Sequence, residues 1–408
     1  MEVNKNIRFG ALAALFAGTV ALTACGGGGG GGGASTASAP LAAPPAAAPA
    51  PAAAPAPAAA PVTPIVAASN SYANYKNIGL VPTAIPNGAN MVRAWADFRQ
   101  AGALDFFRAE QTYDASQPQA SATPSRFEFW KKNADGIWTN ETATLLPRGS
   151  DGCLHPRKAL VADFNRDGRP DLFVACHGYD AVPFPGETNR VVLSQADGTY
   201  TISDVPAHVG FNHGATAADV NGDGMIDVIV ADSFDPNHSY VLLNDGAGHF
   251  TQEAPGRMPT AITAGPGGWY SAELVDVDGD GQLDLIMGGH EFSGARTMVF
   301  INPGDYQFAS VTPVVLPAVA DQGVVLDFTV TGSGPTRTIW LSRTSGSASS
   351  STFYESRVVQ RVAYPSLAST VVLNQQPGPW MPWLIPATVN GQAVVTSDNA
   401  AETVSFPQ

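Results

Sequence analysis

From about residue 90 onward the chain is written in short apolar runs separated by clusters of glycine, asparagine and aspartate. Runs such as "DLFVA" and "DVIVA" have strand length and strand composition, and each is followed by a second pair of runs: "RVVLSQADGTYTIS", "YVLLNDGAGHF", "TMVFINPGDYQF". Their turns, "ADG", "NDGAG" and "NPGD", carry the residues that tight hairpins require. No long stretch has helical periodicity. Each unit therefore reads as four antiparallel strands, and the fold class is all-β.

The units repeat. "ADFNRDGRPDLFVA", "ADVNGDGMIDVIVA" and "VDVDGDGQLDLIMG" begin their acidic pattern at Asp163, Asp219 and Asp276, 56 and 57 residues apart. Three weaker copies keep the beat: "ADFRQAGALDFFRA" from residue 96, "LDFTVTGSGPTRTIWLS" from 326 and "IPATVNGQAVVTS" from 385. A four-stranded sheet of this size cannot bury both faces alone, and radial packing covers the faces while protecting the edges. Six copies predict a β-propeller of six four-stranded blades, or seven if residues 70–90 and the C-terminus supply another. The last unit runs out at "TVSFPQ", so an N-terminal strand is expected to complete it.

The thrice-repeated D-x-[ND]-x-D-G-x-x-D followed by an apolar strand resembles the FG-GAP/VCBS repeats of integrin-α-like propellers, over roughly residues 90–400. Alternate oxygen-bearing side chains around a glycine turn suit a hard dication. The expected ligands are Asp163, Asn165, Asp167, Asp171 and the Arg169 carbonyl; Asp219, Asn221, Asp223, Asp227 and the Met225 carbonyl; Asp276, Asp278, Asp280, Asp284 and the Gln282 carbonyl. An EF-hand would need a bidentate Glu at position twelve, where this chain has Val174, Val230 and Met287. Zinc is disfavoured in loops without His or Cys. The resemblance implies about three structural Ca2+ ions.

The front of the chain changes where this domain is placed. Lys5 and Arg8 flank "ALAALFAGTVAL", and "LTAC" ends the stretch, so residues 1–25 read as an export signal. "LTAC" resembles the lipobox of bacterial lipoproteins, which implies lipidation of Cys25; Gly26 after it resembles sorting to the outer membrane. Residues 26–69, eight glycines and an Ala/Pro tract, form a tether extending at about 3.1 Å per residue where it is polyproline-like. Residues 70–408 hold the propeller, on the periplasmic side or the cell surface. In that compartment Cys153 and Cys176 are expected to pair.

The formal charge of −14 argues against nucleic acid as a partner, and three bound dications would bring it to −8. The expected membrane contact is through the lipid alone.

Strand direction puts the acidic loops on one face and the other loops on the opposite face. Six of seven histidines map to that second face: His155, His177, His208, His213, His238 and His290. With Tyr179, Asp235, Trp269, Tyr270 and Glu291, the histidines His155, His177, His213 and His290 make the candidate ligand site; Trp380 and Trp383 are further aromatics there. The reading that follows is a binding or adhesion module for a glycan or protein. The alternative is a propeller hydrolase or lyase with a His/carboxylate site at the mouth, although G-x-S-x-G, H-E-x-x-H and phosphate-binding glycine loops are absent.

Overall fold

The computed structural model describes residues 91–233, 239–265, 267–334, 336–349, 352–378, 384–389, 392–397 and 405–407. The chain divides into residues 1–65 and 66–408, and every described residue belongs to the second unit. The signal, the lipobox and the tether, and the strand expected from residues 70–90, lie outside the described residues.

Five sheets have four antiparallel strands in chain order. Blade one is Met91–Ala96, Asp105–Glu110, Phe127–Lys132 and Trp138–Asn140; blade two is Pro156–Ala162, Asp171–Cys176, Glu187–Ser194 and Tyr200–Gly210. Blade three is Asn212–Ala218, Asp227–Asp232, Tyr240–Asn244 and Phe250–Gln252; blade four is Trp269–Val275, Asp284–Gly289, Met298–Phe300 and Val314–Val315. Blade five is Val324–Ser333, Thr336–Thr344, Arg357–Tyr364 and Ser369–Gln375. The first strands of successive blades lie side by side, as a propeller requires.

Among the described residues, the expected six or seven four-stranded blades are corrected to five. The C-terminal copy folds as Leu384–Val389 and Gln392–Ser397 and pairs with Ser405–Pro407, giving a three-stranded sheet. The copy from residue 326 has no acidic loop either: Asp327 stands inside the strand Val324–Ser333, and its Oδ2 accepts from Leu384 N–H at 2.8 Å, tying blade five to the next sheet.

The core lies between blades rather than within them. In "DLFVAC" every residue is buried, because the strand is covered on both faces. Leu172, Val174 and Cys176 join a cluster with blade one, whereas Phe173 and Ala175 join one with blade three. The same division sends Ile229 toward blade four and Val228 toward blade two. A continuous apolar run is thus two period-two patterns superposed. The second residue of each loop, Phe98, Phe164, Val220 and Val277, is also fully buried between blades, so the turn itself is anchored in the core.

Two links cross elements. A disulfide joins Cys153 to Cys176, with Cα atoms 6.1 Å apart, and pins the entry of blade two to the end of its second strand. Lys158 Nζ lies 2.9 Å from Glu273 Oε2, both side chains buried, joining the first strands of blades two and four. Among the described residues no helix is long and apolar enough to cross a membrane.

Candidate functional site

The first two acidic loops share one geometry, and the third departs from it at its first aspartate, which also pairs with Arg337 at 2.9 Å. In the first, Asp163 accepts from the N–H groups of Asp167 and Gly168 at 3.0 and 2.9 Å. In the second, Asp219 accepts from Asp223 and Gly224 at 3.1 and 2.9 Å. In the third, Asp276 accepts from Gly279 at 2.6 Å and Asp280 from Gln282 at 2.7 Å. Gly168, Gly224 and Gly281 have φ of 81°, 83° and 90°, the left-handed turn for which glycine is needed.

The ninth position does more than face the loop centre. Asp171, Asp227 and Asp284 are fully buried; one oxygen accepts a loop N–H (Phe164 2.8 Å, Val220 3.1 Å, Val277 2.7 Å). The other accepts from the end of the third strand: Ser194 at 2.7 Å, Asn244 at 2.9 Å, Asn302 at 2.8 Å. Burial raises the carboxyls of Asp171 and Asp227 to about 7 and that of Asp284 to about 6, against the hydrogen bonds that lower them. Oxygens of Asp276, Asp278 and Asp284 lie within 4.8 Å of one another. An all-oxygen donor set gathered this closely fits a hard dication.

Blade one solves the same problem differently. Its loop has Arg99 at the third position, where the other loops have Asn165, Asn221 and Asp278. The Arg99 guanidinium lies 2.7 and 2.8 Å from Asp105 Oδ1, and its backbone N–H donates to Oδ2 at 3.0 Å. Asp97 accepts from Ala101 and Gly102 at 2.7 and 2.6 Å, as Asp163 and Asp219 do in their loops. A covalently attached cation stands in this loop.

On the opposite face the blades bring a continuous line of rings together. Centroids are 6.0 Å apart from Tyr113 to His155, 4.6 Å to His177, 4.4 Å to His213, 3.8 Å to Tyr270 and 4.1 Å to His290. Tyr354 closes the line, its hydroxyl 2.9 Å from His290 Nε2 and donating to Tyr270 Oη at 3.1 Å. Each of the five blades supplies at least one member, because each member sits at the same end of a first or second strand or in the adjoining loop. His155, His177 and His213 form a buried floor, and Arg157, Asp180, Tyr270, His290 and Tyr354 a half-buried rim.

Burial governs the charges. It pushes His155, His177 and His213 well below the usual imidazole range, aided by the Arg157 charge, and holds His290 at about 3. The rings are neutral. Burial raises Tyr270 well above the usual phenol range and Tyr354 to about 12. Asp180 is raised by burial, with Arg157 opposing.

Among the sequence-derived ligand candidates, His155, His177, His213, Tyr270 and His290 converge. Tyr179 is adjacent, its ring 5.2 Å from Tyr113 and its hydroxyl donating to Gln117 O and Ala115 O. Two expectations are corrected. Trp269 is fully buried in the core between blades three and four, where its bulk fills space. Glu291 is held bidentately by the buried Arg343 at 2.8 and 3.0 Å, so its carboxylate is committed to a structural pair. Asp235, His238, Trp380 and Trp383 lie outside the described residues. His208 sits apart, 3.2 Å from Asp232.

Sequence reasoning missed Tyr113, Arg157, Asp180 and Tyr354. Arg157 had a signal, since it stands two residues from His155 and strand alternation puts both on one side. Tyr113 and Tyr354 come from the two blades that lack the oxygen-rich loop, so no motif registered them against the others.

A family model described as FG-GAP-like repeat matches residues 163–230 and 219–287. No curated protein matches the chain. Among solved structures, the chain is similar to a candidate 6-phosphogluconolactonase of Bacteroides uniformis, at 11% identity and TM-score 0.45, over 80% of this chain and 86% of that one. It is also similar to an exo-1,5-alpha-L-arabinanase from a bovine ruminal metagenomic library (10%, TM-score 0.36, 71% and 98%). An exo-beta-1,3-galactanase of Phanerochaete chrysosporium gives 11%, TM-score 0.37, and 79% and 77% coverage. Likenesses this distant leave the functional argument to the residues themselves.

Proposed function

Taking the chain as an FG-GAP-repeat β-propeller, we propose that it is a binding module of the bacterial cell envelope, stabilised by calcium on one face and seating a glycan on the other. The observation that carries this reading is the line of rings from Tyr113 to Tyr354, drawn from all five blades. At the half-buried rim Tyr270, His290 and Tyr354 offer ring faces for a sugar together with hydrogen-bonding edges, backed by the buried imidazoles, which is the mixed lining such sites use. Calcium would be held by Asp163, Asn165, Asp167 and Asp171, by Asp219, Asn221, Asp223 and Asp227, and by Asp276, Asp278, Asp280 and Asp284. In this reading the ions stiffen the turns and take no part in binding.

A lipidated Cys25 and the Ala/Pro tether would hold the domain off the outer membrane. The support is the sequence pattern at residues 1–69.

A second reading, an envelope hydrolase or lyase, draws on one observation: Asp180, its carboxyl raised by burial, stands with neutral His177 at the same mouth, a pairing suited to acid–base work.

The full chain, screened against a glycan array with calcium present, tests both. The binding reading expects a glycan hit whose affinity falls by roughly 3- to 10-fold in Tyr270→Ala or His290→Ala, the scale of one aromatic contact. No hit, or a hit indifferent to both substitutions, would count against it. Release of shortened or unsaturated product from the bound glycan, abolished in Asp180→Asn, would favour the enzyme.

A further inference from the structure

We infer that His155, His177 and Asp180 form a transition-metal site at the mouth, chemically distinct from the oxygen-only loops on the other face. Each residue offers a ligand atom, and the three atoms lie within 4.8 Å of one another. Two imidazole nitrogens and one carboxylate make a borderline donor set, which takes zinc, copper or nickel in preference to calcium. All three residues follow from two segments of one blade: His155 precedes its first strand, and His177 and Asp180 follow its second.

The surroundings are those of a ligated histidine. Tyr113 Oη accepts from Asp180 N–H at 2.8 Å, donates to Gly178 O at 3.1 Å, and lies 3.3 Å from His155 Nδ1. Its proton is given to Gly178, so the remaining bond is His155 Nδ1–H donating to Tyr113. That tautomer leaves the lone pair on Nε2. A hydroxyl fixing the far nitrogen of a ligand, and the backbone of the carboxylate partner, is the outer arrangement that metal sites use to orient imidazoles.

A separate observation points to a missing ligand. His213 is 7% exposed, its ring centroid is 4.4 Å from that of His177, and neither of its nitrogens has a hydrogen-bond partner. Burying both without a partner is costly. A metal at His155 and His177, or a water bound to it, gives His213 one. With three protein ligands the ion keeps a position open toward the rim.

One contact opposes the site. Arg157 Nη1 is 3.2 Å from His155 Nε2, so a cation stands on the lone pair that the metal would use. Among the described residues Arg157 makes no ion pair, and its side chain stands half-buried at the rim. Metal binding and this contact therefore compete, which gives the inference a signature: removing Arg157 tightens binding.

Metal uptake is measured with no glycan present, so its failure and that of the glycan reading are distinguishable. The full chain, stripped with chelator and refilled with excess calcium, is titrated with Zn2+, and with Co2+ for its visible spectrum. The expected result is one Zn2+ per chain that calcium does not displace, with a Co2+ spectrum of mixed nitrogen and oxygen coordination. Asp180→Asn and His177→Ala abolish uptake, Tyr113→Phe weakens it by about 10- to 100-fold, and Arg157→Ala strengthens it. Asp180 is on the half-buried rim, so its variant is expected to fold, checked by its melting transition. The exposed His249, which pairs with Asp245 at 2.9 Å, is the surface control. No calcium-resistant uptake, or uptake that survives Asp180→Asn and His177→Ala but falls in His249→Ala, would overturn the site.

Discussion

At position nine of the acidic loops a single carboxylate closes the turn and holds the third strand. Asp171, Asp227 and Asp284 read in the sequence as metal ligands because of their spacing from the first aspartate. Their second task was not legible, since the partners Ser194, Asn244 and Asn302 lie 23, 17 and 18 residues further on. The clamp bonds run between protein groups, so their contribution can be separated from that of a bound ion. Asp227→Asn removes one acceptor oxygen and leaves a buried backbone N–H facing an amide. It is expected to cost about 1–3 kcal/mol even in chelator, measured by urea unfolding. An unchanged midpoint in chelator would mean that Asp227 acts only through the metal. Arg99 shows the complementary case: blade one has Arg99 where the other loops carry Asn165, Asn221 and Asp278, and its guanidinium pairs with Asp105 directly.

Elements were the most legible level. Runs such as "DLFVAC" and "DVIVAD" were readable as strands, and the structure adds that their unbroken apolarity reflects neighbours on both faces. What the pattern could not reveal was the charge inside. Lys158 stands in "PRKALVA" and Glu273 in "WYSAELV", and sequence separation of 115 residues hides the pair. Lys158→Met would strand the Glu273 carboxylate in the interior and is expected to destabilise the fold by about 3–5 kcal/mol. Lys158→Met with Glu273→Leu should recover most of the loss, because an apolar pair needs no charge compensation. Equal loss in the single and double variants, by denaturant melts, would mean that packing rather than charge sets the cost.

Over the whole domain, the three strong repeats at Asp163, Asp219 and Asp276 were enough to give the propeller and its two faces. They were not enough for the number of blades, because the C-terminal segments keep strands without loops and form a three-stranded sheet. The mouth was half legible: histidines could be counted onto a face, but Tyr113 and Tyr354 reach it from blades whose motif has decayed. The central proposal is that cations hold the loop face: calcium in the three oxygen-rich loops, joined at the third by Arg337, which lies 2.9 Å from Asp276, and Arg99 in blade one. Calorimetry of the chelated full chain during calcium titration tests it most directly. The account predicts uptake of three ions per chain, none in blade one, and a rise in melting temperature, each site adding about 2.7 kcal/mol at a free calcium 100-fold above its Kd. A melting temperature unchanged by calcium, with no uptake, would contradict it.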